Sequence, residues 1–197
     1  MDLVPVREGL WRWTARHPDW EPDQPHDSSG DWPAVVGCVA YRAPEALVLI
    51  DPLVPEGDWS DLDLLVESVG SPVHVLVTIP WHERSSTQAL ERFSGTTAVP
   101  TGVTEIAFPR ADETMFWMPE HRALVPGDRI LGFGVAPGSL RVCPDSWLRY
   151  IDPGITGVEL RAELQKLLEL PVELVLVSHG EPVLEGADAA LESALAA

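Results

Sequence analysis

Short apolar runs rich in β-branched residues recur along the chain, and this pattern predicts many strands. The runs are Leu3–Ala15, Ala34–Tyr41, Ala46–Ile50, Val73–Thr78, Thr97–Val99, Val103–Phe108, Thr114–Met118, Ala123–Val125 and Val172–Val177. The first run is a strand or a hairpin of its own. The second and third flank a turn signal at Arg42–Glu45, so we expect an antiparallel hairpin that ends at Asp51.

Helices are predicted at four places from apolar spacing and end signals. They are Ser60 to Gly70, Glu83 to Phe93, Gly157 to Leu170 and Gly186 to Ala197. The stretch Pro18–Pro33 is rich in Pro, Asp, Ser and Gly and is predicted to be a long surface loop, and Gly132–Gly138 is predicted to be another loop. This order of elements favours an α+β fold, with mixed sheets and the helices outside them.

Composition narrows the possible classes of protein. A chain of 197 residues with 45% apolar residues is expected to form a single domain, 1–197, with a substantial core. The sequence contains no apolar run of about 18 residues and no signal-peptide pattern, so we expect no membrane-spanning helix. Cys38 and Cys143 are expected to be buried thiols in a reducing cytoplasm. The oligomeric state stays open.

The net charge of the chain argues against two classes of partner, nucleic acid and anionic membranes. Thirteen basic residues stand against 31 acidic ones, which gives a formal net charge of −18. Long-range repulsion then opposes binding to nucleic acid or to an anionic membrane surface. We therefore expect neither as a partner.

Polar residues stand at or just after the ends of predicted strands. They are Asp51, His82, Glu83, Asp128 and His179. Because loops at one edge of a packed sheet are the usual place for a site, we expect these side chains to form it.

The order of these motifs resembles the metallo-β-lactamase fold superfamily across nearly the whole chain. The matching segments are Leu47–Asp51, Val75–Thr78, Ala123–Asp128 and Val175–Pro182. The resemblance implies an αβ/βα four-layer sandwich with a metal site along one edge. In that superfamily the loop His-X-His-X-Asp-His, after a strand ending in Thr, binds zinc, which lowers the pKa of bound water to about 7.

The corresponding loop of this chain departs from the motif. Ile79 and Trp81 fall on the first two histidine positions and cannot ligate a metal. Glu83 falls on the aspartate position and Arg84 on the last histidine. The only histidine of the loop, His82, lies one place out of register. A dinuclear site of the superfamily type is therefore not expected.

The other ligand positions are partly kept. Where the superfamily has its next histidine, the nearest match is Arg110. Asp128 matches the bridging aspartate and His179 the last histidine, and both keep their identity. The site that the resemblance implies is thus depleted, and two hypotheses follow.

The first hypothesis is a small-molecule binding or structural module without a cofactor. A guanidinium where a ligand is expected is a fixed positive charge, so Arg84 and Arg110 would pair with Asp128 or Glu83 in place of a metal. Trp81, Arg84 and Arg110 would then line the old cleft and favour an anionic small molecule.

The alternative hypothesis is a mononuclear metal-dependent hydrolase of a small ester, thioester or lactone. His82, Asp128 and His179 would bind zinc, iron or manganese, and Glu83 would be a further ligand or a base. Of the remaining histidines, His17, His26 and His121 are expected at the solvated surface, and His74, inside a strand, is expected to face outward.

Overall fold

The structure is a computed structural model that describes residues 1–132 and 138–196. Within these ranges the strands are β1 (Val4–Arg7), β2 (Leu10–Arg16), β3 (Val35–Ala43), β4 (Ala46–Ile50), β5 (Val73–Leu76), β6 (Thr104–Phe108), β7 (Glu113–Met118), β8 (Ala123–Val125), β9 (Ile130–Gly132), β10 (Leu140–Val142) and β11 (Leu174–Val175). The helices are α1 (Ser60–Val69), α2 (Ser86–Phe93), α3 (Gly157–Leu164) and α4 (Ala187–Ala196), and 3₁₀ turns occupy Pro80–His82, Pro109–Ala111, Asp145–Leu148 and Gln165–Glu169.

Two mixed sheets form the body of the fold. One has the strand order β1-β2-β3-β4-β5, and only β4 and β5 are parallel in it. The other has the order β11-β8-β7-β6, and only β11 and β8 are parallel. Strands β9 and β10 form a separate antiparallel pair. The mixed sheets predicted from the sequence are thus confirmed.

The buried apolar side chains show the order of the layers. One cluster lies between the two sheets and joins Ile50 of the first sheet to Phe116 of the second. A second cluster packs the other face of the first sheet against α1, with Leu62 at its centre. A third packs the other face of the second sheet against α3 and α4 and includes Leu191. The layers are therefore helix, sheet, sheet and helix, as the resemblance implied.

Strand β3 shows why the sequence has near-continuous apolar runs. Its residues alternate between two buried faces: Val39 and Tyr41 lie between the sheets, whereas Cys38 and Ala40 lie under the helices. A strand covered on both faces needs apolar residues at every position. The predicted hairpin with β4 is confirmed, with Ala43 opposite Ala46.

Several predicted bounds are wrong, and local backbone explains most of them. Helix α2 begins at Ser86 rather than near Glu83, because Arg84 has a φ of 43° that a helix does not allow. The predicted helix to Leu170 is α-helical only to Leu164 and continues as a 3₁₀ turn, and Pro171 disfavours a helical residue before it.

Two predicted strands differ as well. The segment 97–99 is not a strand, and the predicted strand 172–177 is reduced to β11. The predicted loop at 132–138 lies, for residues 133–137, outside the described residues. None of the helices in the described ranges is long and apolar enough to cross a membrane.

Candidate metal centre

Three buried side chains from three connections meet at one edge of the sandwich. His82 ends the 3₁₀ turn after β5, Asp128 lies between β8 and β9, and His179 follows β11. The Nε2 atoms of His82 and His179 each lie 3.1 Å from Asp128 Oδ1. One ligand atom from each of the three residues lies within 4.8 Å of the others. The structure thus brings together the three residues that the sequence assigned to a metal.

The His82 ring is oriented by Asp51 and Thr78. His82 Nδ1 lies 2.9 Å from Asp51 Oδ2 and donates to it, so Nε2 faces Asp128. Thr78 in turn holds Asp51, because its backbone N–H and its hydroxyl donate to the two carboxylate oxygens at 2.8 and 2.5 Å. A carboxylate behind a histidine that faces a metal position fixes the ring and its tautomer.

Asp128 is held from two sides. Trp81 Nε1 donates to Asp128 Oδ2 at 2.5 Å, which leaves Oδ1 as the oxygen that faces the two imidazoles. The buried Glu113 carboxylate accepts the backbone N–H groups of Gly127, Asp128 and Arg129 at 3.0, 2.7 and 2.9 Å. Burial raises the pKa of Glu113 to about 7, although Arg129 opposes this. The sequence interpretation gave Glu113 no role.

His179 is positioned by a close approach of two backbone segments. The N–H of Gly132 donates to the carbonyl of His179 at 2.8 Å. Gly180 has a φ of 90°, and a Cβ at this position would overlap the Gly132 carbonyl. The rings of Trp32 and Trp147 pack edge-on against His179, at centroid distances of 5.8 and 5.6 Å.

The pKa values show strong coupling within the cluster. Burial alone would lower the pKa of His82, but the charges of Asp128 and Asp51 outweigh it and raise that pKa to about 9. Burial would raise the pKa of Asp128, but His82 and His179 hold it well below its usual range. Burial lowers the pKa of His179, with Asp128 opposing. These shifts show that the site favours positive charge between the carboxylates of Asp51 and Asp128.

The donor set fits a metal ion. Asp128 Oδ1 is buried and has no hydrogen bond of acceptable direction from the residues that the structure describes, although two Nε2 atoms lie 3.1 Å away. Ligands of a tetrahedral zinc ion, each at about 2.0–2.1 Å, are separated by about 3.3 Å. Two imidazole nitrogens and one carboxylate oxygen are ligands that zinc, iron and manganese accept.

Arg84 does not replace the metal as the first hypothesis expected. Its guanidinium donates to the carbonyls of Gly37 and Asp51 at 3.2 and 3.1 Å, and to Ser178 Oγ at 2.7 Å. It forms no ion pair with Asp128 or Glu83, because the left-handed turn at Arg84 directs the side chain toward β3. Arg84 still lines the cavity beside the cluster.

Arg110 and Glu83 lie elsewhere, which corrects two further predictions. Arg110 is half exposed and pairs with Glu159 and Glu163 of α3, because the 3₁₀ turn 109–111 lies against that helix. Glu83 is exposed and accepts a hydrogen bond from Thr87 at 3.1 Å. Neither residue lines the cavity at the cluster.

A cavity of about 340 Å³ opens onto the cluster. Most of its other lining is aromatic or comes from the loop predicted at Pro18–Pro33 and its start: His17, Asp19, Ser29, Trp32, Trp81, Trp147 and Tyr150. The loop is tied down because Trp147 Nε1 donates to the Ser28 carbonyl at 2.9 Å, and Ser29 Oγ lies 3.1 Å from Tyr150 Oη. The loop thus covers one side of the cavity.

Two histidine predictions are wrong. His17 is half-buried in the cavity wall instead of solvated, since the loop folds back over it. His121 is buried, with its ring 5.4 Å from that of Tyr41, whereas His26 is exposed as expected. The cluster of aromatic residues around the loop was the one sequence signal for this cavity, and only Trp81 was assigned to it.

Comparison with known proteins agrees with this architecture. No protein-family model matches the sequence, and no curated protein does. Solved structures do: a metallo-β-lactamase from Pontibacter korlensis has a TM-score of 0.62 and 15% identity, covering 99% of this chain and 98% of that one. One from Hirschia baltica has a TM-score of 0.61 and 14% identity, covering 99% and 96%. The metallo-β-lactamase FIM-1 from Pseudomonas aeruginosa, in a mono-zinc form, has a TM-score of 0.61 and 11% identity, covering 98% and 96%. The chain therefore has a metallo-β-lactamase fold, and its sequence is divergent from these neighbours.

Proposed function

We propose that this protein binds one divalent metal ion through His82, Asp128 and His179 and hydrolyses a small ester, thioester or lactone. The observation that carries the proposal is the convergence of two Nε2 atoms on Asp128 Oδ1, each at 3.1 Å, where no hydrogen bond from within 1–132 and 138–196 satisfies that oxygen. Zinc, iron and manganese all suit this donor set. The neighbour described as a mono-zinc form supports one ion on this fold.

A metal held by three protein ligands keeps a position open, where it lowers the pKa of water to about 7 and makes it nucleophilic. The chain's own residues prepare that site. Asp51 and Thr78 fix the His82 ring, and Trp81 fixes Asp128. The loss of such supporting groups typically costs about 10–100-fold in metal affinity.

The cavity indicates the size and polarity of the substrate. Its volume of about 340 Å³ suits a small molecule, and Trp32, Trp147 and Tyr150 offer apolar faces to it. Arg84, the cavity's arginine, already donates to three protein acceptors, so it offers little to an anionic ligand. A neutral substrate with an apolar or aromatic group therefore fits better than an anion.

A second candidate is a binding protein without catalysis, and one observation favours it. His82 lies between Asp51 and Asp128, and its pKa of about 9 lets a proton balance both carboxylates. The cluster is then charge-balanced with protein groups alone. The same aromatic cavity would hold a small apolar ligand.

Metal content separates the two candidates. Protein purified without chelator from metal-supplemented medium is assayed by elemental analysis and for release of 4-nitrophenol from 4-nitrophenyl acetate. Hydrolysis predicts about one equivalent of metal, lost with activity in Asp128→Asn and His179→Ala. His74→Ala is the matched control, because its ring contacts the Ala98 carbonyl and does not line the cavity.

Two results would contradict the metal proposal. One is metal far below one equivalent together with an unchanged Tm on adding zinc. The other is equal metal content in the wild type and Asp128→Asn. Either would leave the binding candidate, which fluorescence of the cavity tryptophans with small aromatic compounds would then test.

A further inference from the structure

His17 lies at the start of the loop that covers the cavity. It follows β2 directly, and its backbone N–H donates to the carbonyl of Ala34 at 2.8 Å. Its carbonyl accepts the N–H of Trp20 at 3.3 Å. The ring contacts Trp32 edge-on, with centroids 5.0 Å apart. A side chain anchored in this way presents its ring to the cavity with little freedom.

The hydrogen bond at one ring nitrogen determines what the other offers. Nδ1 of His17 accepts the backbone N–H of Asp19 at 3.2 Å, so the proton of the neutral ring is on Nε2. Among the described residues, no hydrogen bond to His17 Nε2 is seen, whereas Nδ1 has one. Within that part of the chain, His17 therefore offers an N–H donor that no protein acceptor uses.

That donor belongs to the same cavity as the metal cluster. His17 lines it together with His82, Asp128 and His179. Trp32 joins the two sides, since its ring packs on His17 at 5.0 Å and on His179 at 5.8 Å. His17 and the cluster therefore line one cavity, and Trp32 contacts both.

The charges around His17 favour its neutral form. Burial lowers the pKa of His17, and the positive charge of Arg84 lowers it further, whereas Asp19 opposes them. A neutral imidazole that donates through one N–H is a known electrophilic group in enzymes.

We propose that His17 is a catalytic residue of the hydrolysis proposed above, whose Nε2–H donates to the substrate carbonyl oxygen and stabilises the negative charge that develops there. In that step a water oxygen bonds to the carbonyl carbon, and the C=O π electrons move onto the carbonyl oxygen. The bond to the leaving group breaks when those electrons return. An alkoxide leaving group takes the proton that water gave up, whereas with 4-nitrophenolate that proton goes to the solvent. His17 neither gains nor loses a proton.

Two substitutions distinguish the contribution of the His17 N–H donor from the contribution of its ring. His17→Phe keeps a ring for the Trp32 contact and removes the N–H, so we expect kcat to fall by about 10²-fold or more with KM changed only a few-fold. His17→Gln places an amide N–H near the position of Nε2, and we expect it to recover most of that loss. Metal content and Tm should match the wild type in both variants.

The leaving group distinguishes an oxyanion donor from a proton donor. 4-Nitrophenyl acetate needs no proton on its leaving group, whereas ethyl acetate does. The proposal predicts the same fold-loss in His17→Phe for both esters, and the same pH profile for wild type and His17→Gln. A much larger loss with ethyl acetate, an unchanged kcat in His17→Phe, or no recovery in His17→Gln would overturn it.

A readout without turnover tests the same atom. Long-range ¹H–¹⁵N spectra of the protein should show His17 protonated at Nε2 and not at Nδ1, and added phenylacetate, an ester-hydrolysis product, should shift the Nε2–H signal. The opposite tautomer would overturn the proposal. Failure of the proposed function is a separate result: a wild type without turnover removes both, whereas turnover that survives in His17→Phe removes only the role of His17.

Discussion

The contact between Gly180 and Gly132 makes a sharp test of how the fold places His179. In Gly180→Ala the new Cβ would overlap the Gly132 carbonyl, and the residue would keep a φ of 90°. Gly57→Ala is the matched control, because Gly57 has a φ of 80° but nothing lies within 4 Å of its Cβ position. Both variants carry the conformational strain, and only the first carries the overlap.

The two contributions have different expected sizes. A left-handed conformation costs a non-glycine residue about 1–2 kcal/mol. Inserting a methyl group into packed backbone costs about 1–3 kcal/mol more. We therefore expect Gly57→Ala to lower the free energy of unfolding by about 1–2 kcal/mol, and Gly180→Ala by about 2–5 kcal/mol.

Urea unfolding of both variants measures this difference in stability, and elemental analysis measures how much metal each variant binds. Gly180→Ala should also lose metal, because the segment that carries His179 must move away from Gly132. A chain of this size changes its Tm by about 2–4 °C per kcal/mol, so thermal melts resolve the two variants. If Gly180→Ala unfolds no more easily than Gly57→Ala and keeps its metal, the close approach does not position His179.

Three further predictions test a residue that orients the cluster, an arginine outside the cavity and the two buried cysteines. Asp51→Asn should weaken zinc affinity by about 10–100-fold, because His82 loses the carboxylate that orients it, as measured by competition with a chromophoric chelator; equal affinity would contradict this role. Arg110→Ala should leave metal content unchanged and shift the Tm by no more than about 4 °C, since its ion pairs are exposed. Cys38 and Cys143 should react with a thiol reagent only after unfolding, because burial raises their pKa values to about 11 and 12; fast labelling of the folded protein would refute this.

The features predicted correctly from the sequence depend on local chemistry. The hairpin of β3 and β4 follows from two apolar runs around a turn, and β8 has the predicted bounds, Ala123–Val125. Gly70 ends α1 with a φ of 66°, which is the conformation that a glycine after a helix commonly adopts. Such signals involve neighbouring residues only, so they can be recognised in a single sequence.

Whether His82 lies at a ligand position of the metal loop could not be predicted in this way. Counting residues from Thr78 placed His82 one position away from a ligand. In the structure the turn Pro80–His82 closes with a hydrogen bond of 2.8 Å from His82 N to the Ile79 carbonyl, and the ring then points at Asp128. Residue counting does not detect this orientation, because it depends on the backbone geometry of the turn.

The two arginines show the same limit. Arg84 and Arg110 were both assigned to the cleft by alignment with lost ligands. Arg84 lines the cavity but donates to backbone carbonyls and Ser178, and Arg110 pairs with Glu159 and Glu163 on the surface. The partner of a long, flexible cation depends on which acceptors the fold places within its reach.

The four layers of this protein were implied only by the resemblance to a known superfamily. The sequence by itself determined most of the strands and helices that build them, and three polar residues at or after strand ends. These follow from apolar periodicity and from the short-range rules of turns and caps. Only the tertiary structure decided that His82, Asp128 and His179 meet, that Glu113 and Gly132 hold them, and that the loop after His17 covers the cavity. Each of these depends on contacts between residues more than ten positions apart, and the free energies that select such contacts come from packing and from the burial of charge, which no local pattern records.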